Sequence, residues 1–94
     1  MDIQQLLAGL KADLGMRSDM YNDRLCARLE EAQQELTAEG IELEDTTRDR
    51  ELVIMYAAWL WRNRIDGEAM SPMLKMARNN RLFGQKARTG GAGS

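Results

Sequence analysis

Hydrophobic residues recur with the period of an α-helix along the first part of the chain. Beginning at Ile3 they occur at i, i+3, i+4, i+7 and i+11, which is the apolar stripe of an amphipathic helix. A second helix is indicated after Ser18, whose hydroxyl suits an N-cap. Its apolar face comprises Tyr21, Leu25, Leu29, Ala32 and Leu36. Gly15 and Gly40 predict the ends of these two helices, because glycine readily takes the left-handed conformation of a helix C-terminus.

The third segment, Leu52 to Trp61, is apolar at ten consecutive positions in a chain that is 30% charged. A bilayer span needs about 20 such residues, so we predict a helix that is buried on every side, the centre of a small bundle. Thr46 and Asp49 before it have the spacing of a capping box. Trp59 and Trp61 project roughly 200° apart. We therefore expect Trp59 to be buried in the monomer and Trp61 to contact the core or another subunit.

The last segment opens with Ser71 and Pro72, an N-cap followed by a favourable first helical residue. We expect this fourth helix to run to about Phe83, where a polar and glycine-rich sequence follows. Such a composition buries little apolar surface and favours disorder. The sequence therefore predicts an all-α fold, with a small four-helix bundle over residues 1–83 and a flexible C-terminal tail over residues 84–94.

The residues needed for catalysis or metal binding are scarce. The chain has one cysteine and no histidine, so Cys26 has no histidine to activate it as a nucleophile and no partner for an internal disulfide. We interpret it as a small thiol beside the apolar face of the second helix. No secretory signal is recognisable. We therefore expect a cytoplasmic, non-enzymatic protein with no cofactor, no metal site and no membrane contact.

Charge is divided unevenly between the two ends of the chain. Residues 1–61 carry a net charge of −7 and residues 62–94 a net charge of +5, which together give −2. Oppositely charged ends can pair head to tail, and such contacts can close into rings; solvated faces without a partner are the alternative. The predicted subunit interface comprises Glu30, Glu31, Glu35, Glu39, Trp61, Arg78 and Arg81.

Several stretches in this order resemble a known family. They are "LLAGLKADLG", "SDMYNDRLCARLEEAQQELTAEGIEL", "LVIMYAAWLWRNR" and "MSPMLKMARNNRLF". An aromatic-rich helix that ends in an arginine pair, followed by Met-Ser-Pro-Met and a closing Asn-Asn-Arg-Leu-Phe, is similar to the small head-tail connector (adaptor) proteins of long-tailed bacteriophages. The similarity runs from Ile3 to Lys86 and contains no catalytic signature.

The resemblance implies a helical subunit of a ring with the twelvefold symmetry of the phage portal, made in the host cytoplasm and located in the neck of the virion. Such a ring extends the DNA channel, helps retain the packaged genome and docks the next neck or tail protein, while DNA passes through without sequence-specific binding. It also implies a C-terminal anchor to the portal or a neighbouring subunit. Here the anchor would comprise Phe83, Lys86, Arg88, Gly90 and Gly91.

A small helical DNA-binding or packaging-related protein is the alternative function. Lys75, Arg78 and Arg81 recur every three residues on the fourth helix and could contact phosphates. The sequence pI of about 5.1 argues against it, since DNA-binding domains are usually basic.

The methionines near the fourth helix have two interpretations. Met70, Met73 and Met76, with Met55 in the third helix, either pack these two helices together or cushion a junction with a partner. Methionine suits both roles because its side chain is flexible and polarisable.

Overall fold

The computed structural model describes residues 1–67 and 69–93, with side chains described for residues 1–63, 67 and 69–86. It contains four helices, and no strand occurs in the described residues. The predicted all-α, four-helix architecture is confirmed. The helices are α1 (Ile3–Leu14), α2 (Asn22–Ala38), α3 (Thr47–Asp66) and α4 (Pro72–Gly93).

The core forms where α1, α2 and α4 pack around α3. Leucines of α1 and α2 face inward, as their spacing predicts, and α4 contributes Leu74. In α3 the buried positions lie around nearly the whole helix: Leu52, Val53, Ile54, Tyr56, Ala57, Ala58 and Leu60. The apolar run is therefore the central element of the bundle, as predicted, and its two alanines allow neighbouring helices to approach closely.

The predicted glycine ends of α1 and α2 are confirmed. Gly15 and Gly40 have positive φ angles of 71° and 100°, which cost glycine little. After α2, the Ile41 amide donates to the Leu36 carbonyl at 3.2 Å and the Gly40 amide donates to the Thr37 carbonyl at 3.0 Å. This pair of bonds is a Schellman motif, and Ile41 is buried beside it.

The caps of α3 and α4 also agree with the sequence prediction. The Thr46 hydroxyl accepts a hydrogen bond from the Asp49 amide at 3.2 Å, and the Ser71 hydroxyl accepts one from the Leu74 amide at 3.2 Å. Pro72 is the first residue of α4. The Asp49 carboxylate does not complete a capping box, because it accepts instead from the Glu44 amide at 2.8 Å.

The predicted start of α2 is wrong. The Ser18 hydroxyl accepts from the Met20 amide at 3.1 Å and the Asp19 carbonyl from the Asn22 amide at 3.2 Å, so both residues stabilise a separate turn. The helix begins at Asn22, without a side-chain cap. A serine that is well placed for an N-cap serves equally well in such a turn, and the sequence does not separate the two.

The fourth helix does not end at Phe83, the predicted end of the bundle, but continues to Gly93. Gly84, Gln85 and Lys86 therefore belong to α4 rather than to a separate tail. The side chains of residues 87–94 lie outside the described residues, and with them most of the predicted flexible tail and the predicted anchor residues Arg88, Gly90 and Gly91.

Candidate functional site

The predicted acidic band on α2 is at the surface, but it already has a partner in its own chain. Glu30 and Glu39 are exposed, and Glu31 and Glu35 are half-buried. Arg78 of α4 approaches Glu39, with 3.3 Å between Nη1 and Oε1. This ion pair lies within one protomer, whereas we predicted pairing between protomers. Arg78 therefore contributes first to the packing of α4 on its own bundle.

Arg81, which we predicted at the subunit interface, is buried within its own protomer. Its exposed fraction is 4%, which leaves almost no surface for a neighbouring subunit or a DNA phosphate. Its Nε lies 2.7 Å from Asp49 Oδ1, and its Nη2 lies 3.1 Å from Asp49 Oδ2. Asp49 is itself fully buried. A buried guanidinium of this kind requires a buried carboxylate beside it, and the two residues are 32 positions apart.

Arg81 is the centre of a larger hydrogen-bonded cluster, which we call the α4 latch (Arg81, Asp49, Gln85 and the linker residues 40–44). Arg81 Nη2 donates to the Glu42 carbonyl at 2.6 Å, and Nη1 donates to Gln85 Oε1 at 3.1 Å. Gln85 also accepts from the Glu42 amide and donates to the Gly40 carbonyl, each at 2.7 Å. The latch fixes α4 to the linker between α2 and α3.

A sequence signal for the latch exists at Asp49. Asp49 precedes Val53, Tyr56 and Leu60 by 4, 7 and 11 positions, so the carboxylate extends the buried stripe of α3. A charge on such a stripe needs a buried cation or several hydrogen-bond donors. Which cation is used depends on tertiary packing, and the sequence pattern does not identify it.

The latch has a defined electrostatic character. Burial favours the neutral form of Asp49, but hydrogen bonds from Arg81 and the Glu44 amide, with the charges of Arg81 and Arg48, outweigh it and hold its pKa below the ordinary value. The hydrogen bond to Asp49 raises the pKa of Arg81 despite its burial. Both groups are therefore ionised in the native protein at neutral pH.

Acid is expected to weaken the latch. A carboxyl group whose pKa is lowered by folding stabilises the native state above its unfolded pKa, which is about 3.9 for Asp, and this contribution is lost as pH falls through the folded pKa. When the pH is lowered beyond about 4, we expect the free energy of unfolding to decrease, and to decrease less in Asp49→Asn than in the parent. Asp13→Asn is the matched control, because Asp13 is an exposed carboxylate outside the latch. Urea titrations at several pH values measure this, and an unchanged acid dependence in Asp49→Asn would contradict it.

The side of α4 that faces away from the latch is exposed and carries three large apolar side chains among polar ones. Met73, Met76 and Phe83 have exposed fractions of 72%, 63% and 68%. Met76 and Phe83 are seven residues apart, so they lie on one side of the helix, and Met73 lies one turn before them. These three residues form what we call the α4 outer face. Because Met73 and Met76 are exposed, they do not serve to pack α4 against α3; their contact with a partner stays a prediction.

The α4 outer face adjoins a cleft between α3 and the start of α4. The cleft has a volume of about 380 Å³. Its apolar lining includes Met55, Ala58, Trp59, Met73 and Leu74, and its polar rim includes Asp13, Glu51 and Arg62.

The two tryptophans contact different elements, as their spacing predicts. Trp59 is half-buried rather than fully buried, and its ring meets Tyr56 edge to face at 5.5 Å between centroids. Trp61 is also half-buried, and its ring meets Tyr21 at 5.6 Å. Trp59 lines the cleft, so it is a further candidate for contact with a partner. The predicted interface role of Trp61 stays a prediction.

The Cys26 thiol and the Tyr56 phenol lie in environments that suppress their ionisation. Burial raises the pKa of the Cys26 thiol, and the Asp23 and Glu30 carboxylates raise it further. Burial also raises the pKa of Tyr56, with an added contribution from its hydrogen bond to Glu35. Both groups therefore stay neutral at physiological pH, and a neutral thiol is a poor nucleophile.

No helix in residues 1–67 and 69–93 is long and apolar enough to cross a bilayer. The same part of the chain contains no group of three or more His, Cys, Asp or Glu residues that could hold a metal ion. No protein-family model, curated protein or solved structure matches the chain.

Proposed function

We propose that the chain is a structural subunit of a phage head-tail connector (adaptor). Its copies form a ring below the portal, with the portal's twelvefold symmetry, in the neck of the virion. The ring extends the DNA channel, helps retain the packaged genome and docks the next neck or tail protein. DNA passes through without sequence-specific contacts.

The observation that carries the proposal is the α4 outer face. Three large apolar side chains project from one side of a helix, while the latch holds the other side of that helix on the bundle. Large apolar side chains that are grouped on one exposed side of a helix are a feature of interaction surfaces, and methionine and phenylalanine are enriched in interfaces. A rigid bundle that presents such a face is suited to assembly, and this supports the connector interpretation that rests on the sequence resemblance.

The DNA-binding alternative receives less support. Of its three proposed phosphate contacts, Arg81 is buried against Asp49 and Arg78 is paired with Glu39. Lys75 is exposed, but one lysine on an acidic chain gives little affinity for DNA, since affinity rises with the number of phosphates that are neutralised.

Native mass spectrometry of the purified chain, with and without the portal protein from the same genome, tests the proposal. We expect a complex in which a closed ring of chains is bound to the portal ring. The contrary result is a chain that stays monomeric and does not bind the portal at concentrations at which other neck proteins bind their partners fully. That result would overturn the connector function.

A further inference from the structure

Met76 and Phe83 of the α4 outer face and the lining of the cleft are both apolar. Met76 and Phe83 protrude from one side of α4, whereas Met55 and Trp59 line a concave apolar surface on the same chain. Aromatic and methionine side chains that enter a partner's pocket commonly dominate the energy of an interface. One chain thus carries both a protruding and a receiving surface.

The two surfaces are also complementary in charge. Lys75 and Lys86 are exposed on the side of α4 that adjoins Met76 and Phe83. The rim of the cleft carries the carboxylates of Asp13 and Glu51 and one cation, Arg62. The two positive charges beside the protrusion are thus opposite in sign to the net charge of the rim. Charge complementarity of this kind fixes the register of an interface and speeds association.

We propose that Phe83 and Met76 of one protomer pack into the cleft of a second copy of this chain, between its Met55 and Trp59. Phe83 lies ten residues beyond Met73, which is about 15 Å along a helix. Phe83 thus lies well beyond the part of α4 that lines the cleft of its own protomer. Within the proposed ring the contact is head to tail, because each protomer uses its two surfaces on two different neighbours.

This contact deepens the proposed connector function and rests on it for closure into a ring. A head-to-tail contact repeats from one protomer to the next, and it closes when the rotation between protomers divides a full turn. A single chain carries both apolar surfaces and the opposite charges beside them. We therefore take a second copy of this chain as the occupant of the cleft. The Lys86 and Glu51 side chains then face each other at the edge of the contact.

Cross-linking at the rim tests the geometry while leaving the apolar contact intact. In a Cys26→Ser background, Glu51→Cys and Lys86→Cys are made singly and together, and a short bismaleimide joins thiols that lie close. We expect the double variant to give a ladder of trimers and larger species. Each single variant alone should give monomer, and an equal mixture of the two should stop at dimer. A ladder that stops at dimer, a cross-link in either single variant, or no cross-link at all would overturn the contact.

The strength of the contact is tested by Phe83→Ser, with Met20→Ser as the matched control. Both side chains are large, apolar and exposed, and Met20 lies outside the two proposed surfaces, so the thermal melt of each variant should match the parent. Sedimentation should show self-association weakened about tenfold or more for Phe83→Ser, as for an interface hot spot, and unchanged for Met20→Ser. Equal association of the two variants would overturn the contact.

The inference and the connector function fail separately. A full cross-linked ladder in a protein that ignores the portal would leave the contact standing and remove the connector function. A portal-bound ring whose double variant gives no ladder would keep the connector function and place the subunit contact elsewhere.

Discussion

Replacing Arg81 by alanine is expected to lower the free energy of unfolding by about 3–5 kcal/mol. The change removes the buried cation that contacts both oxygens of the Asp49 carboxylate, and it removes the donor to the Glu42 carbonyl. Asp49 keeps the Glu44 amide and the mostly exposed Arg48, whose Nε lies 3.4 Å from Oδ1. Neither replaces a buried guanidinium, so loss of this partner of a buried ion pair is costly. Urea denaturation followed by circular dichroism measures the loss.

Two further variants show whether burial of the charge is the cause. Arg78→Ala breaks the more exposed pair with Glu39 and should cost at most about 1 kcal/mol. The double variant Asp49→Leu with Arg81→Met replaces the pair with apolar groups and should recover much of the stability. If Arg81→Ala costs no more than Arg78→Ala, the latch does not hold α4 in place.

A chain that ends at Phe83 is expected to be less stable than the full chain by roughly 2–3 kcal/mol. It lacks Gln85, which pairs with the Gly40 carbonyl, the Glu42 amide and Arg81. Each lost hydrogen bond costs on the order of 1 kcal/mol. A chain that ends at Lys86 keeps these bonds and should melt like the full protein. Equal melting temperatures for the two truncations would contradict the role of Gln85.

The same pair of truncations locates the anchor to the portal. If Arg88, Gly90 and Gly91 carry it, the chain that ends at Lys86 should fold fully yet fail to bind the portal, leaving filled heads that lose DNA or take no tails. Normal yields of infectious particles from this truncation would place the anchor on the helices. Because the shorter truncation is also expected to unfold more easily, the longer one gives the decisive comparison.

The sequence predicts most of the helical framework because its determinants are local. The stripe that begins at Ile3, the apolar run of α3 and the pair of Ser71 and Pro72 each specify their element within a few turns. Gly40 requires a positive φ that other residues adopt only at a cost. Such signals do not depend on tertiary contacts, so they can be recognised in the sequence alone.

The latch could not be predicted in full because its partners are far apart in the chain. Arginine is normally found at the surface, yet Arg81 is buried because it pairs with Asp49 of another helix. Gln85 falls in a segment whose composition indicates a tail, but its side chain reaches the linker after α2. Tertiary contacts decided both positions, whereas the later start of α2 comes from a local turn in which the Ser18 hydroxyl accepts from the Met20 amide.

The latch has a direct consequence for assembly. Arg81 lies two residues before Phe83 on α4, and Gln85 lies two residues after it. Side chains that are held on a rigid, well-supported element bind with less loss of conformational entropy than side chains on a mobile segment. We therefore infer that buried bonds on one side of α4 pre-organise Phe83 on the other, which links the stability of the fold to the proposed subunit contact.

Electron cryomicroscopy of the chain bound to its portal tests the central claim most directly. We expect a closed ring of four-helix protomers at the tail-facing end of the portal, with the twelvefold symmetry of the portal. Each Phe83 should lie in the cleft lined by Met55 and Trp59 of the next protomer. The opposite result is a portal whose tail-facing end binds no copy of the chain, although the chain is folded and present in excess. That result would contradict the assignment of this protein as a connector.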